Sequence, residues 1–293
     1  MPWLQAHLIT GKENAPLIEL LFENLGALSV TLGDAADEPL LEPAPGESPL
    51  WQQTRVTGLF DGETDSDSLR TAINQALNRD ASRGLRLEVL EDQAWERAWL
   101  DSFKPMRFGE RLWICPNGQM PGDRDAVVVE LDPGPAFGTG THPTTALCLQ
   151  WLDAQPLQGK TVIDFGCGSG ILAVAALKLG AERAIAIDHD PQALEATRAN
   201  AEKNQVMDRL EIHGSDEVPD ITSDILLANI LAGVLVSLEP VLANHLAAGG
   251  RLALSGILQE QAADVSAAYS EHFTLSPPRQ LDDWVLLEGN KNV

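Results

Sequence analysis

The feature that most constrains this chain is the segment Asp164-Phe165-Gly166-Cys167-Gly168-Ser169-Gly170, which joins a short apolar run, residues 161–165, to a helical pattern at 170–179 closed by Gly180. Alternate glycines between a strand and a helix allow a sharp turn and bring main chain close to a ligand. Beyond this point strand and helix patterns alternate. A strand at 183–188 is followed by a helix at 191–203 with Asp190 as its N-cap. Strands follow at 209–213, 224–228, 251–255, 273–276 and 284–288, with helices near 231–244 and 259–271. This alternation predicts an α/β fold, a doubly wound Rossmann-like domain with its ligand site at the carboxyl edge of the sheet. The connection at 277–283 is too short for a parallel crossover, so the last strand is expected to run antiparallel to its predecessor.

The N-terminal third has a different rhythm. A strand at 3–9 precedes a helix at 15–25, which places Leu17, Leu20, Leu21 and Leu25 at helical spacing between Pro16 and the stop at Gly26. A strand at 27–32, a loop holding Pro39, Pro43, Pro45 and Pro49, a strand within 51–60, a helix at 66–78 and a strand at 86–90 complete the order β-α-β-β-α-β. That is the ferredoxin-like split pattern. Residues 91–103 read as an amphipathic helix with Trp95 and Trp99 one turn apart, taken as packing anchors. The expected division is therefore a smaller ferredoxin-like α+β recognition domain at 1–91, a linker helix and hinge at 92–110, and the doubly wound domain at 111–293.

The length of 293 residues suits two domains, each with its own core. With 20 basic and 43 acidic side chains the formal charge is −23, which argues against a direct grip on nucleic acid and favours a basic partner. The apolar run at 225–236 is broken by Asn229 and Gly233, and the N-terminus lacks a basic stretch followed by a long apolar one, so no membrane segment is expected. Cys115, Cys148 and Cys167 form no C-x-x-C pair and suit reduced thiols of the cytoplasm. The six histidines show no metal-ligand spacing, so no metal site is expected.

Asp188 lies 22 residues after Gly166, the spacing of a carboxylate that accepts from ribose hydroxyls. The dinucleotide fingerprint nevertheless fails, because Ile171 stands where the third glycine belongs, and Asp164 at the loop would repel a pyrophosphate. A cationic ligand without phosphate fits better, and S-adenosyl-L-methionine has that chemistry; Gly166, Gly168 and Asp188 are read as its binding residues. A second glycine loop at 132–145 lacks the Lys of a phosphate-binding loop and is expected to wall the ligand, with Thr144 or Thr145 capping the next helix at 146–152. His142 is read either as a loop residue bonded to backbone or as a group at a reacting amine. Asn229 ends an apolar strand, where its amide could orient an amine lone pair or cap the following helix. Phe103 and Phe137 are candidates to line the site.

Four segments resemble the bacterial methyltransferases of large-subunit ribosomal protein eleven, the PrmA family: M-R-F-G-E-R-L-W-I-C-P at 106–116, L-D-P-G-P-A-F-G-T-G-T-H-P-T-T at 131–145, V-I-D-F-G-C-G-S-G-I-L-A at 162–173 and A-N-I-L-A at 228–232. The resemblance implies a seven-stranded catalytic domain, methyl transfer from S-adenosylmethionine to lysine and N-terminal amines of that basic ribosomal protein, and a small N-terminal domain that holds the substrate. It matches Thr145, Gly166, Asp188 and Asn229 to cofactor-contacting positions. A monomer is expected. The glutamine methyltransferases of release factors carry N-P-P-Y where this chain has N-I-L-A. Rival expectations are a methyltransferase of another protein or a small amine, an NAD-dependent oxidoreductase, and a non-catalytic binding protein of ribosome assembly.

Overall fold

The computed structural model describes residues 2–36, 50–77, 84–90, 104–116, 119–123, 125–131, 140–218 and 220–293. The chain divides into two compact units, Met1–Ala98 and Trp99–Val293. The expected helix at 91–103, with Trp95, Trp99 and Phe103, lies outside the described residues, as do the Pro-rich loop at 37–49 and Phe137.

In the first unit, β1 (Trp3–Gly11), α1 (Ala15–Asn24), β2 (Ser29–Asp34), β3 (Gln53–Asp61), α2 (Ser66–Ala76) and β4 (Arg86–Leu90) follow the order read from the sequence. The strands pair antiparallel in the order β2-β3-β1-β4. Side chains alternate across the sheet, so Leu4, Ala6, Leu8, Val56 and Phe60 share one buried face. α1 covers that face with Ala15, Ile18 and Phe22, the Phe22 and Phe60 rings meeting edge to face at 6.1 Å. Gly58 is required there, because a Cβ would stand 2.7 Å from the Phe22 ring. The leucine pattern misplaced the buried face of α1: Leu17 and Leu20 are 60% and 54% exposed. α2 behaves as an ordinary amphipathic helix, burying Leu69 and Ile73, with Asp65 as N-cap accepting from Ser68 N at 2.9 Å.

The second unit opens with a three-stranded sheet that the sequence reading did not anticipate. It comprises β5 (Met106–Phe108), β6 (Leu112–Cys115) and β7 (Val127–Glu130), with β5 inside the span expected as a linker. Then come α3 (Pro143–Asp153), β8 (Thr161–Phe165), α4 (Ile171–Lys178), β9 (Arg183–Asp188), α5 (Pro191–Lys203), β10 (Leu210–Gly214), β11 (Ser223–Asn229), α6 (Ala232–Asn244), β12 (Leu246–Leu258), α7 (Ala262–Tyr269), β13 (Phe273–Leu275), β14 (Arg279–Leu281) and β15 (Trp284–Lys291). The sheet runs β10-β9-β8-β11-β12-β15-β13, seven strands on a continuous path, with β14 pairing the start of β15 as an eighth. β8 to β12 are parallel, and β15 runs antiparallel to both β12 and β13, the direction that the short final connection demanded. One face packs Val162, Leu227 and Ala253 against α3 and α4, and the other packs Ile163, Leu226 and Leu254 against α6 and α7. This sandwiching explains why the strands read as unbroken apolar runs. No helix among the described residues is long and apolar enough to cross a membrane.

Candidate active site

Three strand ends meet at the carboxyl edge of the sheet. Phe165, the last residue of β8, is in register with Ile187 on β9 and with Ala228 on β11, so Gly166, Asp188 and Asn229 emerge side by side. β8 has its successor β9 on one flank and the later β11 on the other. That reversal of strand order is where open α/β sheets bind ligands.

Gly166, Gly168 and Gly170 all take left-handed backbone, with φ of +76°, +54° and +75°. Gly166 N and Cys167 N donate to Ile187 O at 2.8 and 3.0 Å, and Gly170 N donates to Cys167 O at 2.8 Å. From α5, Thr197 Oγ1 donates to Gly168 O at 3.0 Å and Asn200 Nδ2 donates to Ser169 O at 2.8 Å. The loop is thus held in one shape before any ligand arrives. A Cβ at Gly166 would lie 2.2 Å from Ile230 Cγ2, so the loop and the N-I-L-A segment touch at the site.

Asp188 is buried beside the loop. Its Oδ2 accepts from Gly168 N at 2.9 Å and its Oδ1 accepts from Asp190 N at 3.0 Å, with His189 Nδ1 3.3 Å from Oδ1. A carboxylate oxygen has two lone pairs, so among the described residues Oδ2 retains one for a hydroxyl. On the other flank, Asn229 Nδ2 donates to Thr145 Oγ1 at 3.3 Å, joining β11 to the first turn of α3. Asn229 does not cap the next helix; the N-cap of α6 is Leu231.

The family model described as ribosomal protein L11 methyltransferase (PrmA) matches residues 2–292. Proteins named ribosomal protein L11 methyltransferase from Hahella chejuensis and Serratia proteamaculans are 52% and 53% identical over 291 and 293 residues, covering 99% of this chain and 99% and 100% of the relatives. The crystal structure of ribosomal protein L11 methylase from Lactobacillus delbrueckii subsp. bulgaricus superposes with a TM-score of 0.60 at 31% identity, covering 65% of this chain and all of that one. The chain belongs to the ribosomal protein L11 methyltransferase family. As a member of that family it is an S-adenosylmethionine-dependent protein methyltransferase, neither an NAD oxidoreductase nor a non-catalytic binding protein.

The glycine loop of this family member suits an adenosyl donor without phosphate, although for a reason other than the one read from sequence. Asp164 does not stand at the mouth of the loop. It is fully buried beneath it, where Oδ2 accepts from Ala173 N at 3.1 Å and Oδ1 has no partner among the described residues. Burial pushes its carboxyl up to about 7. What disfavours a pyrophosphate is donor count: the N–H groups of Gly166, Cys167, Gly168, Gly170 and Ala173 are already spent on Ile187, Asp188, Cys167 and Asp164. A phosphate wants such donors, whereas a ribose wants the Asp188 acceptor.

Two other readings are corrected. α3 begins at Pro143, and its N-cap is His142, whose Nδ1 accepts from Thr144 N at 3.4 Å and lies 2.7 Å from Thr144 Oγ1. Thr144 and Thr145 are buried within the first turn and do not cap it. Burial holds the His142 imidazole below its usual range, and the ring packs edge-on against Trp284 at 4.9 Å. The three thiols are buried, and burial pushes each one up, which keeps them in the unreactive protonated form. No cluster among the described residues could hold a metal ion.

Sequence reasoning also missed how the site is braced. Asp153, at the end of α3, accepts from Glu110 N at 2.5 Å and Arg111 N at 3.2 Å, and Gly109 fits because a Cβ would sit 2.4 Å from Asp153 Oδ2. Asn204 binds both backbone groups of Glu130, accepting from its N–H at 2.8 Å and donating to its C=O at 2.7 Å. The first contact fixes the β5–β6 turn against α3; the second ties the end of β7 to α5. The only available signal was the M-R-F-G-E-R segment, whose Gly-Glu-Arg reads as a turn without revealing its distant partner.

Proposed function

We propose that this chain transfers methyl groups from S-adenosylmethionine to lysine side-chain amines and the N-terminal α-amine of ribosomal protein L11, acting as a cytoplasmic monomer. The names of relatives 52–53% identical over essentially their full length support this substrate. The observation that carries the chemistry is the Asn229–Thr145 pair, placed at the carboxyl edge one strand from the glycine loop.

In this reading Gly166 and Gly168 let the main chain close on the donor, and Asp188 Oδ2 accepts from its ribose. Bound there, the donor supplies an electrophilic methyl on a sulfonium. One of the two N–H groups of Asn229 Nδ2 donates to Thr145, which fixes the amide and leaves Oδ1 to accept from the N–H of the incoming amine. That contact aims the nitrogen lone pair at the methyl, and positioning of this kind supplies much of the rate. The amine must first lose a proton. At pH 7 that costs about 4.6 kcal/mol for a lysine and about 1.4 kcal/mol for an α-amine, from their reference pKa values. Desolvation beside Ile230 and the apolar strand ends lowers the cost by disfavouring the ammonium.

The N-terminal unit, residues 1–91, is assigned to holding the substrate and residues 92–110 to joining it to the methyl-transfer unit. A net charge of −23 complements the basic surface expected of a ribosomal protein. Incubation with methyl-labelled donor and ribosomal protein L11, followed by mass spectrometry, tests the assignment. Label is expected on lysine side chains and the α-amine; donor binding without any label on L11 would overturn it.

A further inference from the structure

In the first unit, two helices lie on one sheet face, and only α2 has a polar outer surface. Its outward positions include Asp67, Ser68, Thr71 and Gln75, whereas α1 turns Pro16, Leu17 and Leu20 outward, directly opposite the Ala15, Ile18 and Phe22 that fill the core. Leu17 and Leu20 stand one turn apart and form a contiguous stripe, and Leu28, just past the helix, is 61% exposed. A carboxylate edge runs beside this stripe: Glu13 before the helix, with Lys12 next to it, then Glu19 and Glu23 on the helix, which itself carries no basic side chain.

Both halves of this arrangement break local rules. Glu19 and Glu23 are four residues apart and repel each other, and Glu23 sits in the last turn, where the helix dipole disfavours an anion. Exposed leucines add nothing to the core. Such violations persist where a surface does something else, and a cationic partner would relieve all three at once: the repulsion, the dipole conflict and the wetted leucines. A second copy of the chain would bring the same carboxylates against one another.

We infer that the outer face of α1, Leu17 and Leu20 flanked by Glu13, Glu19 and Glu23, is the docking surface for the methyl-acceptor protein, and that it takes a polypeptide surface with apolar side chains ringed by Lys or Arg. This rests on the proposed function for the identity of the acceptor. Association is steered by the carboxylates and held by the leucines, so the two kinds of residue affect different rate constants.

The test is direct binding of full-length chain to ribosomal protein L11, read by surface plasmon resonance and separately from methylation. Leu17→Ser/Leu20→Ser is expected to weaken affinity about tenfold through faster dissociation. Glu19→Gln/Glu23→Gln is expected to slow association several-fold at low salt and to flatten its salt dependence. Gln75→Ala on α2 should leave both rates alone, and thermal unfolding and circular dichroism matching wild type show that the first unit of each variant is folded. Affinities within twofold of wild type for both double variants would overturn the inference. So would self-association of wild type that the leucine variant abolishes while L11 affinity stays the same. A wild type that binds L11 without methylating it defeats the functional assignment and leaves this surface standing. One that methylates L11 while the variants bind equally well does the reverse, and one that binds no L11 defeats both.

Discussion

Asp164 and Asp188 bracket one glycine loop, yet their surroundings give them opposite duties. Asp188 accepts from two backbone N–H groups and keeps an unused lone pair on Oδ2, assigned to the donor's ribose, so Asp188→Asn should weaken donor affinity about 10- to 100-fold, the scale of one charge-assisted hydrogen bond. Calorimetry on the variant checks this; affinity unchanged within threefold would remove Asp188 from the site. Asp164 instead has one accepted bond and complete burial, which raises its carboxyl from 3.8 to about 7. The folded chain therefore holds that proton more tightly than the unfolded chain. The stabilisation it gives is complete below about pH 4 and is lost as pH rises towards 7, where an ionised carboxylate must stay buried. Asp164→Asn cannot ionise, so its stability relative to wild type should improve on going from pH 4 to pH 8, by on the order of 4 kcal/mol. Urea unfolding at both pH values measures the difference, and parallel pH profiles would refute it. For Asn229, assigned both to the donor and to the amine, Asn229→Ala should weaken donor affinity and lower kcat at saturating donor as well, which separates it from Asp188→Asn.

At the scale of elements, the contact between the glycine loop and the N-I-L-A segment can be isolated with two substitutions. Gly166→Ala places an L side chain at φ +76°, costing about 1–2 kcal/mol, and also drives its Cβ into Ile230 Cγ2, adding about 1–3 kcal/mol. Ile230→Ala removes only the second part. The double variant should therefore be more stable than the sum of the singles by at least about 1 kcal/mol, read by thermal unfolding. Simple additivity would mean that the loop moves away from Ile230. In α1, Phe22→Ala should cost about 3–5 kcal/mol, whereas Leu17→Ala should stay within about 0.5 kcal/mol. That contrast shows where sequence reading stops. β8 and β9 are visible because strands buried on both faces read as short apolar runs, and the glycines punctuate them. α1 is visible as a helix, but with leucines on both sides, spacing alone does not tell which side is inside. β5, β6, β7 and β14 have three or four residues each, too few for a period to register. The start of α3 was readable from Pro143 at its first position, a stronger signal than the threonines that follow. The placement of Asp188, Asn229 and the glycine loop at strand ends was legible because apolar runs stop there; the Asp153 and Asn204 braces were not, because their partners lie 42 to 74 residues away in sequence.

Across the whole molecule the acidic excess is not confined to one unit: residues 1–90 carry 6 basic and 14 acidic side chains, and the remainder carry 14 and 29. A field built from both units acts on a basic protein at distances where no contact exists, so it changes the rate of encounter and leaves the methyl-transfer step alone. Screening then separates the two. At about 0.02 M salt the field reaches roughly 20 Å from the surface, and at about 0.3 M it is confined to some 6 Å, less than one side-chain layer beyond the contact. Over that range kcat/KM for intact ribosomal protein L11 should fall about tenfold, while kcat at saturating substrate stays level. A short lysine peptide, with little charge for the field to grip, should lose less than half as much. If kcat falls in step with kcat/KM, salt is acting on the active site or on the fold, and the charge of this chain has some purpose other than capture.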